Sequence, residues 1–255
     1  MTGPLSGIRV VVTRAEHQSD GLAAAFTREG ALVELLPLLE IVPPADPRPL
    51  ERAVSELPLY EWVVFTSANA VEAFLPKVQG ALPVRVRAAA VGPATAAALR
   101  SWGIEPLLEA RRSDAEGLAA DLLPYMDRGS RVLLPQAADA RVTLFEALAA
   151  AGAEPVAVVA YDKRLPADAP RRAAELFADA PLGWVTFTSP RIVRSFVDLF
   201  EDWERRQPEL RAASIGPVTS NELRRHGIAP AAEAERPGDE ALVEAVELAL
   251  EAGRT

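Results

Sequence analysis

The stretch WVVFTSANAVEAF, residues 62–74, recurs as WVTFTSPRIVRSF at residues 184–196, an offset of 122. Two further blocks repeat in the same order: residues 9–41 over residues 131–163, and AAVGPATAAALRSWGIEP from Ala89 over ASIGPVTSNELRRHGIAP from Ala213. Colinear blocks of this kind are typical of an internal duplication. The chain is therefore predicted to contain two copies of one unit of about 120 residues, which is the size of a small domain.

Each copy has the pattern of strands that alternate with helices. Short apolar runs such as IRVVVT, RVLLP, LVELLPLLEI and RAAAVG are flanked by turn or capping residues. A helical pattern of Leu22, Ala25 and Phe26 ends at Gly30, a residue suited to the position after a helix. Continuous apolar runs predict strands that are buried on both faces, hence a parallel sheet covered by helices. We therefore expect an α/β protein with two flavodoxin-like domains, each with a sheet of about five strands.

Two proline-rich stretches lie inside the copies and not between them. PLLEIVPPADPRP begins at Pro37, and PVAVVAYDKRLPADAP begins at Pro155, at a similar point in each repeat. Because proline-rich runs cannot continue as helices, both stretches are predicted to be linkers. A simple tandem protein would instead be divided near residues 127–130. Linkers at these positions indicate domains that exchange parts.

Composition excludes several classes of protein. The chain has 255 residues, no cysteine, two histidines (His17 and His226) and a net charge of −9. Zinc ribbons, iron–sulfur clusters and thiol nucleophiles are therefore excluded, and the acidic balance argues against nucleic-acid binding. The sequence has neither a secretory signal nor a long apolar span, so we expect a cytoplasmic protein without a membrane partner. Nucleotide-binding motifs such as GxGxxG and the Walker loop are absent, so no cofactor is expected.

Four strand-to-helix turns carry hydroxyl and glycine residues at matching places in the two copies. The candidates in these turns are Thr66, Ser67, Asn69, Gly92, Thr95, Thr188, Ser189, Gly216 and Thr219. Ligands of open α/β sheets bind at this edge, where helix N-terminal N–H groups favour anions. The alternative is that Ser67, Ser189, Thr95 and Thr219 are ordinary helix N-caps. Recurrence in both copies favours an anion site that has two sides.

Charged residues and one tyrosine complete the set of candidates. Thr13 and Arg14 close the first strand, where the second copy has Pro135 and Gln136. Further cationic candidates are Arg111, Arg112, Arg141 and Arg191, each of which is more typical of a solvated surface. Ser113 opens an S-x-x-E pattern that predicts a helical capping box. Tyr161 lies in the second linker, where we expect a phenol that projects between the domains or a hydrophobic anchor with a satisfied hydroxyl.

Together these motifs resemble the uroporphyrinogen-III synthase family. The resemblance runs from about Val10 to Leu242 and rests on VTR, TSANAV, VGPAT, S-x-x-E-G-L, a strand ending in tyrosine, FTSP and IGPVT, in that order. It implies a cofactor-free lyase of heme biosynthesis that converts linear hydroxymethylbilane to uroporphyrinogen III. The reaction loses water and inverts ring D on closure.

The resemblance also implies a layout and roles for residues. Residues 1–37 and 165–255 would form one domain, residues 43–160 the other, and residues 38–42 and 161–164 the connectors, with the substrate in the cleft. Tyr161 is assigned as the catalytic group that helps the ring A hydroxyl to leave. The residues expected to bind the substrate are the nine in the turns together with Thr13, Arg14 and Ser113. We expect a metal-free monomer that contacts the bilane-producing enzyme transiently.

Two other classes of protein stay open at this point. A non-enzymatic binding protein with two domains and a cleft for a small anion would have the same doubled α/β units. A regulatory protein such as a tandem receiver pair would also have them, but it needs clustered acidic residues after its first strand, where this chain has Arg14.

Overall fold

The computed structural model describes residues 3–178, 183–200 and 210–253, and the side chains of His17 and Phe177 lie outside the description. The chain divides into two compact units. Residues 1–40 and 164–255 form the discontinuous unit, and residues 41–163 form the inserted unit. In the described ranges, no helix combines the length and apolar character that a membrane span requires.

Strands and helices alternate along the chain. The strands are β1 (Arg9–Val12), β2 (Leu32–Leu35), β3 (Glu40–Val42), β4 (Trp62–Phe65), β5 (Arg87–Ala90), β6 (Leu108–Glu109), β7 (Arg131–Ala137), β8 (Glu154–Arg164), β9 (Trp184–Phe187), β10 (Arg211–Ser214) and β11 (Pro230–Glu233). The described α-helices are α1 (Ser19–Arg28), α2 (Arg48–Ser55), α3 (Ala68–Phe74), α4 (Pro93–Ser101), α5 (Ala115–Leu122), α6 (Thr143–Ala150), α7 (Ala169–Ala178), α8 (Pro190–Leu199), α9 (Pro217–Arg225) and α10 (Asp239–Ala252).

The discontinuous unit is built on a five-stranded parallel sheet in the order β11-β10-β9-β1-β2. Counted within the unit, this is the flavodoxin order 2-1-3-4-5. Its central strands β1, β9 and β10 are buried on both faces. Val10 and Val12 pack with α1 and α10, whereas Val11 packs on the opposite face with α7, α8 and α9. The helices therefore cover both faces, as the continuous apolar runs predict.

The inserted unit contains a six-stranded sheet in the order β3-β8-β7-β4-β5-β6. If β7 is counted first, its five strands other than β3 follow the same flavodoxin order. Val63 and Phe65 pack with α2, α3 and α4, while Trp62 and Val64 pack with α5 and α6. The predicted α/β class with parallel sheets is confirmed.

The predicted end of the first helix holds, but two of the predicted strand and linker assignments need correction. Helix α1 ends at Arg28, and Gly30 follows with a φ of +89°, as expected for a glycine after a helix. The run LVELLPLLEI is not one strand but two, β2 and β3, which belong to different sheets. The stretch from Pro155 is not a linker over most of its length, because β8 pairs with β7 from Glu154 to Tyr161. Its buried Val158 and Ala160 belong to the core of the inserted unit, which is the reason it forms a sheet strand.

Candidate functional site

Each sheet has a topological switch point, at which two neighbouring strands are followed by strands on opposite sides of the pair. In the discontinuous unit, β1 leads to β2 on one side, and β9 leads to β10 on the other. In the inserted unit, the reversal lies between β7, which leads to β8, and β4, which leads to β5. Ligands of open α/β sheets bind beside such switch points, at the carboxyl ends of the strands. The residues that follow these four strands are therefore the first candidates for a site.

A cavity of about 380 Å³ lies at this edge of the inserted unit. Four of the predicted site residues line it: Thr66, Ser67, Ser113 and Tyr161. The cavity also includes residues that the sequence analysis does not place in a site, namely Gln136, Thr143 and Lys163. The repeat aligns Gln136 with Arg14, so the sequence contains a signal for it, but Gln136 lies within β7 near its carboxyl end, whereas Arg14 follows β1. Lys163 lies at the end of β8, and its position depends on the pairing of β8 with β7.

Tyr161 has a buried ring and a partnered hydroxyl. Only 3% of the residue is exposed, and its ring belongs to the hydrophobic core of the inserted unit with Phe65 and Val158. Its Oη atom lies 3.1 Å from Oγ of Ser67. The ammonium of Lys163 lies 5.7 Å from the centre of the ring. The ring is thus a hydrophobic anchor and its hydroxyl has a partner, but the residue also lines the cavity, so a functional role for the hydroxyl stays a prediction.

The two serine turns form equivalent helix caps. Ser67 accepts a hydrogen bond from the N–H of Ala70 at 3.1 Å, and Ser189 accepts one from the N–H of Ile192 at 3.3 Å. Both serines are the N-cap residues of α3 and α8, so the capping interpretation is confirmed for them. Their neighbours Thr66, Asn69 and Thr188 lie in the same turns, at the end of β4, in the first turn of α3 and at the end of β9.

The two glycine turns differ from this pattern. Gly92 and Gly216 are the N-cap residues of α4 and α9. Thr95 and Thr219 are third in these helices and only 3% exposed, so their predicted role as N-caps is wrong. A Cβ atom at position 92 would overlap the hydroxyl of Ser113, so a larger residue there would require the Ser113 side chain to move.

Ser113 itself is not the cap of α5. The N-cap is Asp114, whose carboxylate accepts a hydrogen bond from the N–H of Gly117 at 2.7 Å. This N–H, followed by the guanidinium of Arg112, holds the pKa of the Asp114 carboxyl below its usual value. The predicted capping box is therefore wrong: the N-cap lies one residue later, and Gly117 at the third helical position has no side chain to complete a box. The exposed Ser113 contributes to the wall of the cavity instead.

At the edge of the discontinuous unit, the two residues after β1 have different environments. Thr13 is fully buried, and its hydroxyl donates to the backbone carbonyl of Thr186 in β9. Its side chain has no exposed surface with which to bind a substrate, so the substrate-binding role predicted for it is not supported. Arg14 is partly exposed, and its Nη1 atom lies 2.9 Å from Oδ1 of Asp239.

The cationic candidates separate in a similar way. Arg111 is paired with Asp121, and Arg112 is paired with Asp114. Arg141 lines the cavity and forms no ion pair with any residue in the described ranges. Arg141 is therefore a cationic candidate that lies at the cavity, and its guanidinium has no carboxylate partner in the described ranges.

The family model described as uroporphyrinogen-III synthase HemD matches residues 20–244 of the chain. The chain belongs to the uroporphyrinogen-III synthase family. The uroporphyrinogen-III synthase of Synechococcus elongatus is 34% identical over 227 residues, which cover 85% of this chain and 86% of that relative. The synthase of Chlorobaculum parvum is 30% identical over 232 residues, covering 86% of this chain and 89% of that relative. The family resemblance read from the motifs is confirmed.

Solved structures of the uroporphyrinogen-III synthase family have the same fold. The synthase of Helicobacter pylori superimposes with a TM-score of 0.64 at 22% identity and covers 96% of this chain and 99% of that chain. The synthase mutant of Thermus thermophilus gives a TM-score of 0.63 at 19% identity and covers 96% of this chain and 100% of that chain. At these identities the likeness establishes the α/β architecture.

Proposed function

We propose that this protein is a uroporphyrinogen-III synthase, which cyclises linear hydroxymethylbilane to uroporphyrinogen III with loss of water and inversion of ring D. Membership of the family over most of the chain supports this function. The chemical part of the proposal rests on one observation: the Tyr161 hydroxyl lies beside Ser67, and both residues line the cavity at the carboxyl edge of a sheet.

The substrate is a flexible chain of pyrroles with many carboxylates. A protein that binds it needs N–H and hydroxyl donors spread over a wide surface, together with a few guanidinium groups. In the inserted unit these donors are Thr66, Ser113, Thr143 and Arg141. In the discontinuous unit the corresponding groups are Arg14 and the turns at Ser189 and Gly216. We assign these groups to carboxylate binding.

Tyr161 is the general acid in this proposal. The C–O bond of the ring A hydroxymethyl group breaks as the electron pair of the pyrrole nitrogen forms a C=N bond. The departing oxygen takes the phenol proton and leaves as water, so that an azafulvenium cation and a phenolate remain. Ring D then attacks the azafulvenium carbon through its substituted carbon and forms a spiro intermediate, in which the bond from that carbon to the methylene group of ring C breaks. The unsubstituted carbon of ring D closes on the freed methylene carbon and loses its proton, which restores the phenol.

The remaining catalysis is a matter of orientation. The bilane closes unaided to isomer I, without inversion of ring D. The protein must therefore hold ring D so that its substituted carbon attacks first and a spiro intermediate forms. Carboxylate contacts on both sides of ring D restrict its rotation, which favours this attack over the simple closure.

The experiment that tests the function measures the isomer formed. Purified protein is incubated with hydroxymethylbilane generated enzymatically, and the products are separated as isomers I and III after oxidation. We expect mainly isomer III, at a rate proportional to the protein concentration. Isomer I alone, at the rate without protein, would support the alternative of a non-enzymatic anion-binding or regulatory protein.

We also propose that the protein acts as a cytoplasmic monomer, takes its unstable substrate by transient contact with the bilane-producing enzyme, and has no nucleic-acid partner. The net charge of −9 supports the last point, because it repels a polyanion. Light scattering at several protein concentrations measures the oligomeric state. Trapping of the bilane by a competing reagent during coupled turnover measures the transfer.

A further inference from the structure

We infer that Ser67 is a positioning residue for Tyr161: it donates its hydroxyl hydrogen to the phenol oxygen and thereby directs the phenol proton into the cavity. The inference rests on the proposed function, since it concerns the acid that protonates the leaving hydroxyl. It gives Ser67 a role beyond capping a helix and different from direct binding of a substrate carboxylate.

The direction of the hydrogen bonds follows from what each group has to offer. A serine hydroxyl has one hydrogen and two acceptor lone pairs. The N–H of Ala70 can only donate, so at 3.1 Å it occupies one lone pair of Ser67 Oγ. The other partner of Ser67 Oγ in the described part of the chain is Oη of Tyr161, also at 3.1 Å, and either hydroxyl can donate across this contact. Once the Tyr161 proton bonds to a substrate oxygen, Ser67 becomes the donor in this pair.

The resulting series of donors runs in one direction. It starts at the Ala70 N–H, passes through the Ser67 hydroxyl to the Tyr161 hydroxyl, and ends at the oxygen that leaves ring A. Each hydrogen bond polarises the next donor, so the series strengthens the hydrogen bond that the phenol donates to the substrate oxygen. When the proton has left, the phenolate oxygen keeps the hydrogen bond from Ser67. Burial of the residue, which is only 3% exposed, keeps the phenol from turning away from this partner.

The other unit provides a natural comparison. Ser189 has nearly the same backbone conformation as Ser67, with φ and ψ of −163° and 156° against −162° and 152°. It caps its helix in the same way, through the N–H of Ile192. The residue that the repeat aligns with Tyr161 is Leu39, which has no hydroxyl. Capping thus explains a serine in both units, whereas the contact with a phenol is specific to Ser67.

A double-mutant cycle tests the inference through kcat and KM. We expect Ser67→Ala to lower kcat about tenfold, within the range of a weakened general acid, with little change in KM. In a Tyr161→Phe background the same substitution should change kcat less than about twofold, because its effect passes through the phenol. Ser67→Thr keeps both the cap and the hydroxyl and should restore most of kcat.

Ser189→Ala is the matched control for lost capping. It should lower the melting temperature about as much as Ser67→Ala does. Whatever the factor by which it changes kcat, that factor should be the same in the wild type and in the Tyr161→Phe background. Ser67→Asp is the second variant, because a carboxylate caps the helix but can only accept from the phenol. We expect its kcat to fall at least as far as that of Ser67→Ala while the fold is retained.

The outcomes separate the inference from the function on which it rests. The positioning role would be overturned if Ser67→Ala lowered kcat by the same factor with and without the Tyr161 hydroxyl, or if Ser67→Asp kept full kcat. Either result would leave the synthase activity standing. A Tyr161→Phe protein with full kcat would overturn the acid role and the inference together. A wild-type protein that forms no isomer III would overturn the proposed function itself.

Discussion

The guanidinium of Arg14 and the carboxylate of Asp239 form an ion pair, with Nη1 and Oδ1 2.9 Å apart. The pair joins the residue after β1 to the first turn of α10, although 225 positions separate the two residues in the sequence. Both side chains are about one-fifth to one-quarter exposed, at 20% and 24%. The carboxylate also lies at the positive end of the helix, which adds to its stability there. The pair therefore holds Arg14 at the switch point of the discontinuous unit.

Replacement of each partner should separate binding from stability. We expect Arg14→Ala and Asp239→Ala each to lower the free energy of unfolding by about 0.5–1 kcal/mol, since the pair is partly exposed. KM should rise several-fold in Arg14→Ala, but not in Asp239→Ala, which keeps the cation. Urea denaturation and steady-state kinetics measure the two effects. An unchanged KM in Arg14→Ala would remove this residue from the substrate-binding set.

Tyr161→Phe should slow the reaction roughly tenfold to a hundredfold, because formation of the azafulvene loses its acid while the other parts of catalysis remain. Loss of the hydroxyl leaves the ring in the core, so the melting temperature should change little. Product analysis distinguishes two roles. Mainly isomer III from the slow variant indicates an acid that acts only on the leaving group, whereas a shift to isomer I indicates that Tyr161 positions ring D.

Glu222 should make the free energy of unfolding depend on pH. The residue is 7% exposed, and its carboxylate accepts a hydrogen bond from Nη1 of Arg194 at 2.8 Å. This hydrogen bond, with the charges of Arg194 and Arg225, holds the pKa of Glu222 below its usual value. The folded pKa is lower than the unfolded one, so the stabilisation is complete above about pH 4.3 and is lost as pH falls through the folded pKa.

The variant Glu222→Gln measures this contribution. At pH 7 we expect it to lower the free energy of unfolding by on the order of 1 kcal/mol, and the difference from the wild type should shrink between about pH 5 and pH 3. Glu175→Gln is the control, since Glu175 forms an exposed pair with Arg171 and should contribute little. A difference that stays constant over this pH range would contradict the assignment.

Glu247 should behave in the opposite way. Burial, followed by the charges of Glu29, Glu251 and Glu244, raises the pKa of this carboxyl. Its Oε1 atom is buried and has no hydrogen-bond partner in the described ranges. The ionised form is thus unfavourable in the folded protein, and its cost appears as pH rises through the raised pKa.

Glu247→Gln should therefore stabilise the protein at pH 7, by about 0.5–1 kcal/mol. The gain should vanish near pH 3, where the wild-type carboxyl is neutral in both the folded and the unfolded state. Thermal or urea unfolding at both pH values provides the measurement. A loss of stability at pH 7 would mean that the carboxylate has a favourable partner.

The domain assignment is tested by fragments. Residues 41–163 expressed alone should fold cooperatively, because this range contains β4 to β8 and the core on both faces of their sheet. A chain cut between Arg128 and Ser130 should give two insoluble halves, since the cut separates β7 from its neighbour β4. Circular dichroism during urea titration reports cooperativity. Cooperative unfolding of isolated residues 1–128 would show the interleaved assignment to be wrong.

Local patterns in the sequence are sufficient for the elements and the class of fold. Apolar runs of β-branched residues and leucine cannot be solvated on either face, so they predict buried parallel strands, and the structure agrees. Serine and glycine in the turns likewise predict helix starts. The serine hydroxyl can accept a hydrogen bond from an N–H of the first turn, and glycine, which has no side chain, is also favoured at the N-cap. The serine caps at Ser67 and Ser189 follow from these local rules alone.

Contacts between distant residues depend on the order of strands in the sheet, which local patterns do not contain. Ser67 and Tyr161 are 94 positions apart and meet because β7 lies between β4 and β8. Thr13 ends a strand like a site residue, but its hydroxyl bonds to Thr186, 173 positions away, so it is buried. The sequence specifies the strands and the caps through short-range preferences. The tertiary structure decides which hydroxyls face a cavity, because that depends on which strands become neighbours.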